Sequence, residues 1–339
     1  MRRVLAGIFV LFAVILVIVG CGKTETTVEK SGDNLSQKQQ ENKVFSIGIS
    51  QIVEHPALDS IRQGIIDGLA NKGYEEGKNV SIDYQNAQGS RDTATTISQK
   101  FVSDGKDIII AIATPTAQAA AQSTKDIPVV FASVTDPIAA GLVDDLQNPK
   151  YNVTGTSDQN PIDKQIELIK EFMPNVKNIG VLYNSGEVNS EVQVKMAKKA
   201  GETLGINVIE KGVTQSNEVQ QGAASLIGKV DAYFIPVDNM VVSSFESVLK
   251  VAEEANIPVF ASDTDTVKRG AVATYGIDYY KIGYQTGEMA ARVLDGTDPK
   301  DIPVEVTKDV DLVINETSLN KFKISISDET KNRAVEIFK

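Results

Sequence analysis

The chain has 339 residues, a formal net charge of -11 and a pI near 4.8. With 42% hydrophobic and 23% charged residues it can bury substantial cores, and its length fits two domains better than one. The acidic balance excludes the basic face that nucleic-acid binding requires, and a single cysteine excludes a disulfide framework.

The chain opens with a short basic region, Arg2 and Arg3, followed by an apolar run over 4–19 and then Gly20 and Cys21. That run is short for a spanning helix and fits a secretory signal. Ile18-Val19-Gly20-Cys21 resembles a bacterial lipobox, with Ile where Leu is commonest. This predicts a lipoprotein signal over 1–20, lipid on Cys21, and a protein held outside the cytoplasm on the cell membrane. An uncleaved anchor with an incidental cysteine is the alternative. Residues 22–43 are polar, charged and nearly free of apolar side chains, so 21–43 is expected to be a lipidated cysteine and a disordered tether, with an r.m.s. span of about 25 Å.

From residue 44 the sequence alternates strand and helix signals. A strand over 44–50 leads into the loop that carries His55, the only histidine, and then a helix over 59–71 with Ile61, Ile65, Ile66 and Leu69 on one face. Without a nucleophile or metal cluster nearby, His55 is expected to cap the helix or edge a ligand. A strand over 80–84 and a helix over 92–105 follow. The uninterrupted apolar run 108–113 then reads as a strand buried on both faces, as in parallel sheets. After it, Thr114-Pro115-Thr116 forms a polar elbow into an Ala-rich helix, with Thr114 expected as N-cap and Pro115 as the first helical residue. Free N–H groups, two hydroxyls and the helix dipole there suit a carboxylate or another small anion.

The same grammar recurs. DIIIAIATPT (107–116) with IPVVFASVTD (127–136), and DAYFIPVDN (231–239) with IPVFASDTD (257–265), look like one unit used twice. Strands over 178–183 and 207–210 match those at 44–50 and 80–84. Between the strands at 178–183 and 207–210, the loop 183–190 has the polar density of a binding loop, with Asn189 or Ser190 capping a helix over 191–204. Segment 152–157 is expected to be the first crossing between lobes and 271–277 the return. A helix over 279–294 carries small residues at Gly283, Gly287, Ala290 and Ala291. Strands at 304–306 and 312–314 finish the sheet. The expected fold is α/β: two similar Rossmann-like lobes with parallel sheets, joined by a multi-strand hinge. One lobe spans 44–153 plus about 278–300, the other about 158–275 plus 303–339, with ligands at the carboxyl ends of the strands.

The motifs HPALD (55–59), TPTAQA (114–119), FASVTDPIAAGLV (131–143), VTGTSD (153–158), YNSGEVNS (183–190), PVDN (236–239) and FASD (260–263) are similar to those of ABC-transporter substrate-binding lipoproteins of type I fold. Within these, they resemble the tryptophan, tyrosine or phenylalanine-binding family. The resemblance runs from about Phe45 to the end. It implies a monomeric receptor that delivers an aromatic amino acid to a permease with a cytoplasmic ATPase, with no cofactor, metal or enzymatic activity. A nucleoside, sugar or other small solute is the alternative ligand, although sugar sites favour Trp platforms and this chain has no Trp.

An α-amino acid requires donors for its carboxylate, an acceptor for its ammonium and an apolar slot. The expected donors are Thr114, Thr116 and Ser190; the expected ammonium partner is Asp238, with Asp136 second. Ser133, Asn184, Glu187 and Asp263 complete the expected ligand-binding set, and His55, Leu58 and Phe131 are candidates for the slot. For Asp136, Asp238 and Asp263, N-capping of the helices that follow is the competing role, and the two can coexist. An enzyme would need a nucleophile–base pair, a metal cluster or a cofactor motif such as GxGxxG or a P-loop, and the sequence carries none. A repressor would show a DNA-binding domain where the signal and tether stand, and a chemoreceptor a second membrane segment.

Overall fold

The computed structural model describes residues 43–149, 151–307 and 310–339. The expected signal, Cys21 and the tether up to residue 42 lie outside the described residues. The described residues form one compact unit built as two α/β lobes.

In the first lobe, β1 (Phe45–Gln51), β2 (Val80–Asn86), β3 (Ile108–Ile112), β4 (Val129–Ala132) and β5 (Val153–Ser157) alternate with α1 (Pro56–Asn71), α2 (Arg91–Ser103) and α3 (Thr114–Ser123). The strands pair in parallel in the order β2-β1-β3-β4-β5. All five residues of β3 are buried, the pattern of a strand covered by helices on both faces.

The second lobe uses α4 (Ile162–Phe172), β6 (Asn178–Asn184), α5 (Val188–Leu204), β7 (Asn207–Val213), α6 (Val219–Ala224), β8 (Ala232–Ile235), α7 (Asn239–Ser243), α8 (Phe245–Glu254), β9 (Val259–Ala261), α9 (Thr264–Lys268) and β10 (Ala273–Gly276). Its parallel order, β7-β6-β8-β9, repeats the first lobe's winding. The Val272 N–H to Val259 carbonyl bond, 2.7 Å, carries the sheet on toward β10. The chain then returns to the first lobe as α10 (Tyr279–Leu294) and β11 (Glu305–Val306), and ends in the second with β12 (Asp311–Asn315), α11 (Glu316–Lys321), α12 (Asp328–Arg333) and β13 (Glu336–Phe338). β12 pairs antiparallel to β10 and parallel to β13.

The strands at 304–306 and 312–314 do not finish one sheet. β11 pairs with β5 in the first lobe's sheet, so 303–306 belongs with that lobe and the last crossing falls between β11 and β12. Three element boundaries also move. α1 begins at Pro56, because proline fits the first helical position. α3 begins at Thr114 with Ala113 in the cap position. α5 begins at Val188 after Glu187, three residues earlier than the sequence suggests.

One core serves the first lobe, including Ile277 to Val304 from the returning chain, and two cover the faces of the second lobe's sheets. In the first lobe α10 lies directly on α1. Gly64 and Gly68 face the carbonyls of Tyr280 and Tyr284, while Gly283 and Gly287 face those of Ile61 and Ile65, and a Cβ at any of the four would collide with backbone. Glycine is required here by approach, not by dihedral angle. Gly283→Ala is expected to destabilise the protein by about 3 kcal/mol through overpacking, read as a lowered midpoint in thermal unfolding, whereas alanine at the exposed Lys281 should leave the midpoint within error.

Candidate functional site

The carboxyl ends of both sets of strands meet at a cleft. Val237, just beyond β8, packs against the first lobe's core, so the two lobes touch there. Between them lies a cavity of about 260 Å³ whose lining includes Ile52, Arg91 and Pro115 from the first lobe and Asn184, Glu187 and Met240 from the second. That volume is near the lower end of small-ligand pockets, roughly 300–1,000 Å³. A bigger cavity of about 620 Å³, lined by Lys125, Pro128 and Tyr151, opens beside the amino end of β4 and holds none of these strand-end residues.

On the first lobe's side, two neighbouring strands end in non-glycine residues with positive φ: Ala113 after β3 (φ 78) and Ser133 after β4 (φ 58). Such residues each store on the order of 1–3 kcal/mol and cluster at functional sites. Thr116 Oγ1 donates to the carbonyls of Ile112 (2.5 Å) and Ala113 (3.0 Å), so its proton is committed to the elbow. Thr114 is buried in the first turn of α3. Asp136 forms a local turn, accepting from the N–H groups of Ile138 and Ala139, and stays half-buried. Leu58 and Phe131 are buried in the first core, and Phe131's ring lies against Gly155.

At the first crossing sits Asp158, fully buried. It accepts from Ser133 Oγ (2.7 Å), Thr135 Oγ1 (3.1 Å) and the Tyr279 hydroxyl (3.3 Å). Burial pushes its carboxyl up, and the three hydroxyls oppose that shift.

The second lobe's side is one network. Asp238 caps α7, its Oδ1 accepting from the Val241 N–H (2.8 Å), and its Oδ2 accepts from the Asn184 N–H (2.5 Å) and Ser190 Oγ (2.6 Å). Glu187 accepts from the side-chain amides of Asn184 (3.0 Å), Asn189 (3.2 Å) and Asn239 (2.5 Å). Burial, reinforced by the charge of Asp238, pushes Glu187 up to about 7; burial also raises Asp238. Asp263 caps α9, accepting from the N–H and hydroxyl of Thr266, and is raised by burial.

Three expected roles change accordingly. Asp238 and Glu187 each accept at least three hydrogen bonds from their own lobe; of the two, Glu187 lines the cavity. The hydroxyls of Ser190 and Thr116 are donated within the chain, so neither offers its proton to a ligand carboxylate. His55 occupies the N-cap position of α1, yet its side chain makes no capping bond. Beside His55, which belongs to the expected set, the structure brings forward Ser50 and Asn189, which do not. Among the described residues, Ser50 Oγ at the end of β1, His55 Nδ1 and Asn189 Oδ1 at the start of α5 are buried without a hydrogen-bond partner. Asp158 and Asn239 were also missing, although VTGTSD and PVDN contain them.

The ABC transporter substrate binding protein family matches residues 46–338. The chain belongs to that family. Its members are extracytoplasmic solute receptors of ABC transporters. A tyrosine-binding protein of Clostridioides difficile is 47% identical over 89% of this chain and 87% of its own. A Streptococcus pneumonia domain solved with L-Trp is 40% identical and superimposes with a TM-score of 0.85, covering 87% of this chain and all of that one. A substrate-binding protein of Clostridium difficile in its ligand-free, open form is 48% identical over 87% of this chain and 99% of that one, yet reaches only 0.66. The lobes here are thus arranged more as in the L-Trp complex than as in the open form. Among the described residues no helix is long and apolar enough to cross a membrane, and no cluster of His, Cys, Asp and Glu could hold a metal.

His55 is buried, and desolvation, with a smaller push from the charge of Arg269, lowers its pKa to about 3. A group whose folded pKa lies below its unfolded value of about 6.5 contributes stability above that pH and loses it as pH falls toward the folded value. Glu187, shifted upward, has the opposite slope between about 4.5 and 7. Comparing denaturant unfolding at pH 7 and pH 4 should therefore show a smaller acid loss for His55→Gln than for the parent, by a few kcal/mol; equal losses would refute the burial effect.

Proposed function

We propose that this protein is the membrane-tethered receptor of an ABC importer for an aromatic L-amino acid, anchored by lipid on Cys21 and delivering its ligand to a permease driven by a cytoplasmic ATPase. The observation that carries the reading is the lack of any ion pair, among the described residues, at the buried Glu187 and Asp238, beside the unpartnered Asn189 Oδ1. A desolvated carboxylate pair with a free acceptor next to it calls for a cationic donor, and an ammonium is one. The names of the relatives at 47% and 40% identity supply the aromatic side chain.

In this reading Glu187 and Asn189 Oδ1 take the ammonium. Thr114, the N–H groups that open α3 and Ser50 Oγ take the carboxylate, using the positive end of a ten-residue helix. Asp238, Ser190, Asn184 and Asn239 hold Glu187 in place, and Asp158, with Ser133 and Tyr279, holds the hinge. The protein acts as a monomer and by binding, not by catalysis.

Calorimetric titration with L-Tyr, L-Trp, L-Phe, their des-amino analogues, a nucleoside and a sugar tests this. One aromatic amino acid should bind, its des-amino analogue should bind at least about 100-fold more weakly, and Glu187→Ala should lose a similar factor. Binding of the nucleoside or sugar alone would keep the receptor and discard the amino acid.

A further inference from the structure

Glu187 and Asp238 follow β6 and β8, adjacent parallel strands, and both are buried, 5% and 0% exposed. They share Asn184, whose backbone N–H serves Asp238 and whose side-chain amide serves Glu187. The donors to the pair, from Asn184, Asn189, Ser190, Asn239 and the Met240 and Val241 N–H groups, are neutral. Among the described residues no cation is ion-paired with it. On α4 and α5, Lys164, Glu167, Glu191 and Lys195 are exposed. Beyond α7, Arg269 is paired with Glu246 and donates to the Val242 carbonyl. Across the cavity, the start of α2 contributes Arg91 and Asp92 together, and the Arg91 guanidinium donates to Gln118. Two carboxylates this close and this dry do not both ionise readily.

We propose that ligand capture by this protein is proton-linked: the ligand-free cleft keeps one proton on the Glu187–Asp238 pair, and the incoming ammonium displaces it to solvent. The inference rests on the ammonium-binding reading above and adds an exchange to it. The balance is simple. A protonated pair plus an ammonium ligand gives an ionised pair bound to that ammonium plus one proton in the buffer, with no bond of the ligand broken. Glu187's upward shift to about 7 places the exchange near neutrality. His55, shifted down to about 3, stays neutral throughout and supplies no proton. The pair thereby becomes a charge filter, since a ligand without a cationic group leaves the proton in place and gains no ion pair.

The test is calorimetry of the purified protein with L-tryptophan, L-tyrosine and L-phenylalanine at pH 6, 7 and 8, each in phosphate and in imidazole buffer, whose ionisation enthalpies differ. The observed enthalpies should differ between buffers by the amount for roughly half to one released proton at pH 6, less at pH 8, with affinity falling toward tenfold per pH unit on the acid side. Glu187→Gln, its fold checked by circular dichroism, should bind more weakly with no buffer dependence. Binding with identical enthalpies in both buffers at every pH overturns the proton exchange and leaves the receptor reading intact. The same released proton in Glu187→Gln also overturns it. No binding of any aromatic amino acid at any pH overturns both.

Discussion

Four carboxylates, Asp158, Glu187, Asp238 and Asp263, lie buried around the strand ends, and none of them forms an ion pair among the described residues. An ionised group out of water is costly unless its lone pairs are filled. The loops meet that demand with neutral donors: hydroxyls at Asp158, amides at Glu187, helix N–H groups at Asp238 and Asp263. This explains why the loops after β4, β6, β8 and β9 are so rich in Ser, Thr and Asn. Their polarity holds negative charge in fixed positions, and a loop so bonded has few other conformations to adopt.

The cleft exists because two lobes with the same strand order present the same edge to each other. In each, parallel strands run outward from a central pair, β1 and β3 or β6 and β8, and helices start where those strands stop. The left-handed turns at Ala113 and Ser133 bend the chain out of the sheet just there. The chain passes between lobes three times, so relative motion of the lobes has to be shared by three segments. Asp158 ties the first of them to the second through Tyr279, which favours hinge closure over independent swinging.

Much of the architecture was legible in the sequence because parallel strands declare themselves. The run 108–113 has no polar side to show, and the repeated DIII…IPVVFA and DAYFI…IPVFA units announce a duplicated winding. β11 was misplaced because two residues carry no periodicity, and only its pairing with β5 fixes its lobe. At the site, residue types were readable but commitments were not. Asp238, Ser190 and Thr116 have the right chemistry for a ligand, yet each is engaged within its own lobe, a fact set by distances of 2.5–3.0 Å that no spacing encodes. Ser50 and Asn189 were unreadable for the opposite reason: each leaves a buried oxygen unused, and an unused atom has no sequence signature.

The four glycines between α1 and α10 bear on how the molecule is made. α1 follows the first strand, whereas the helix that covers it arrives only after the whole second lobe down to β10. A chain emerging amino end first therefore leaves the first lobe with a bare helical face until the second lobe has been produced. Both lobes wait for late segments, the first for α10 and β11 and the second for β12 and β13, so apolar surface stays uncovered longest at the end that appears first.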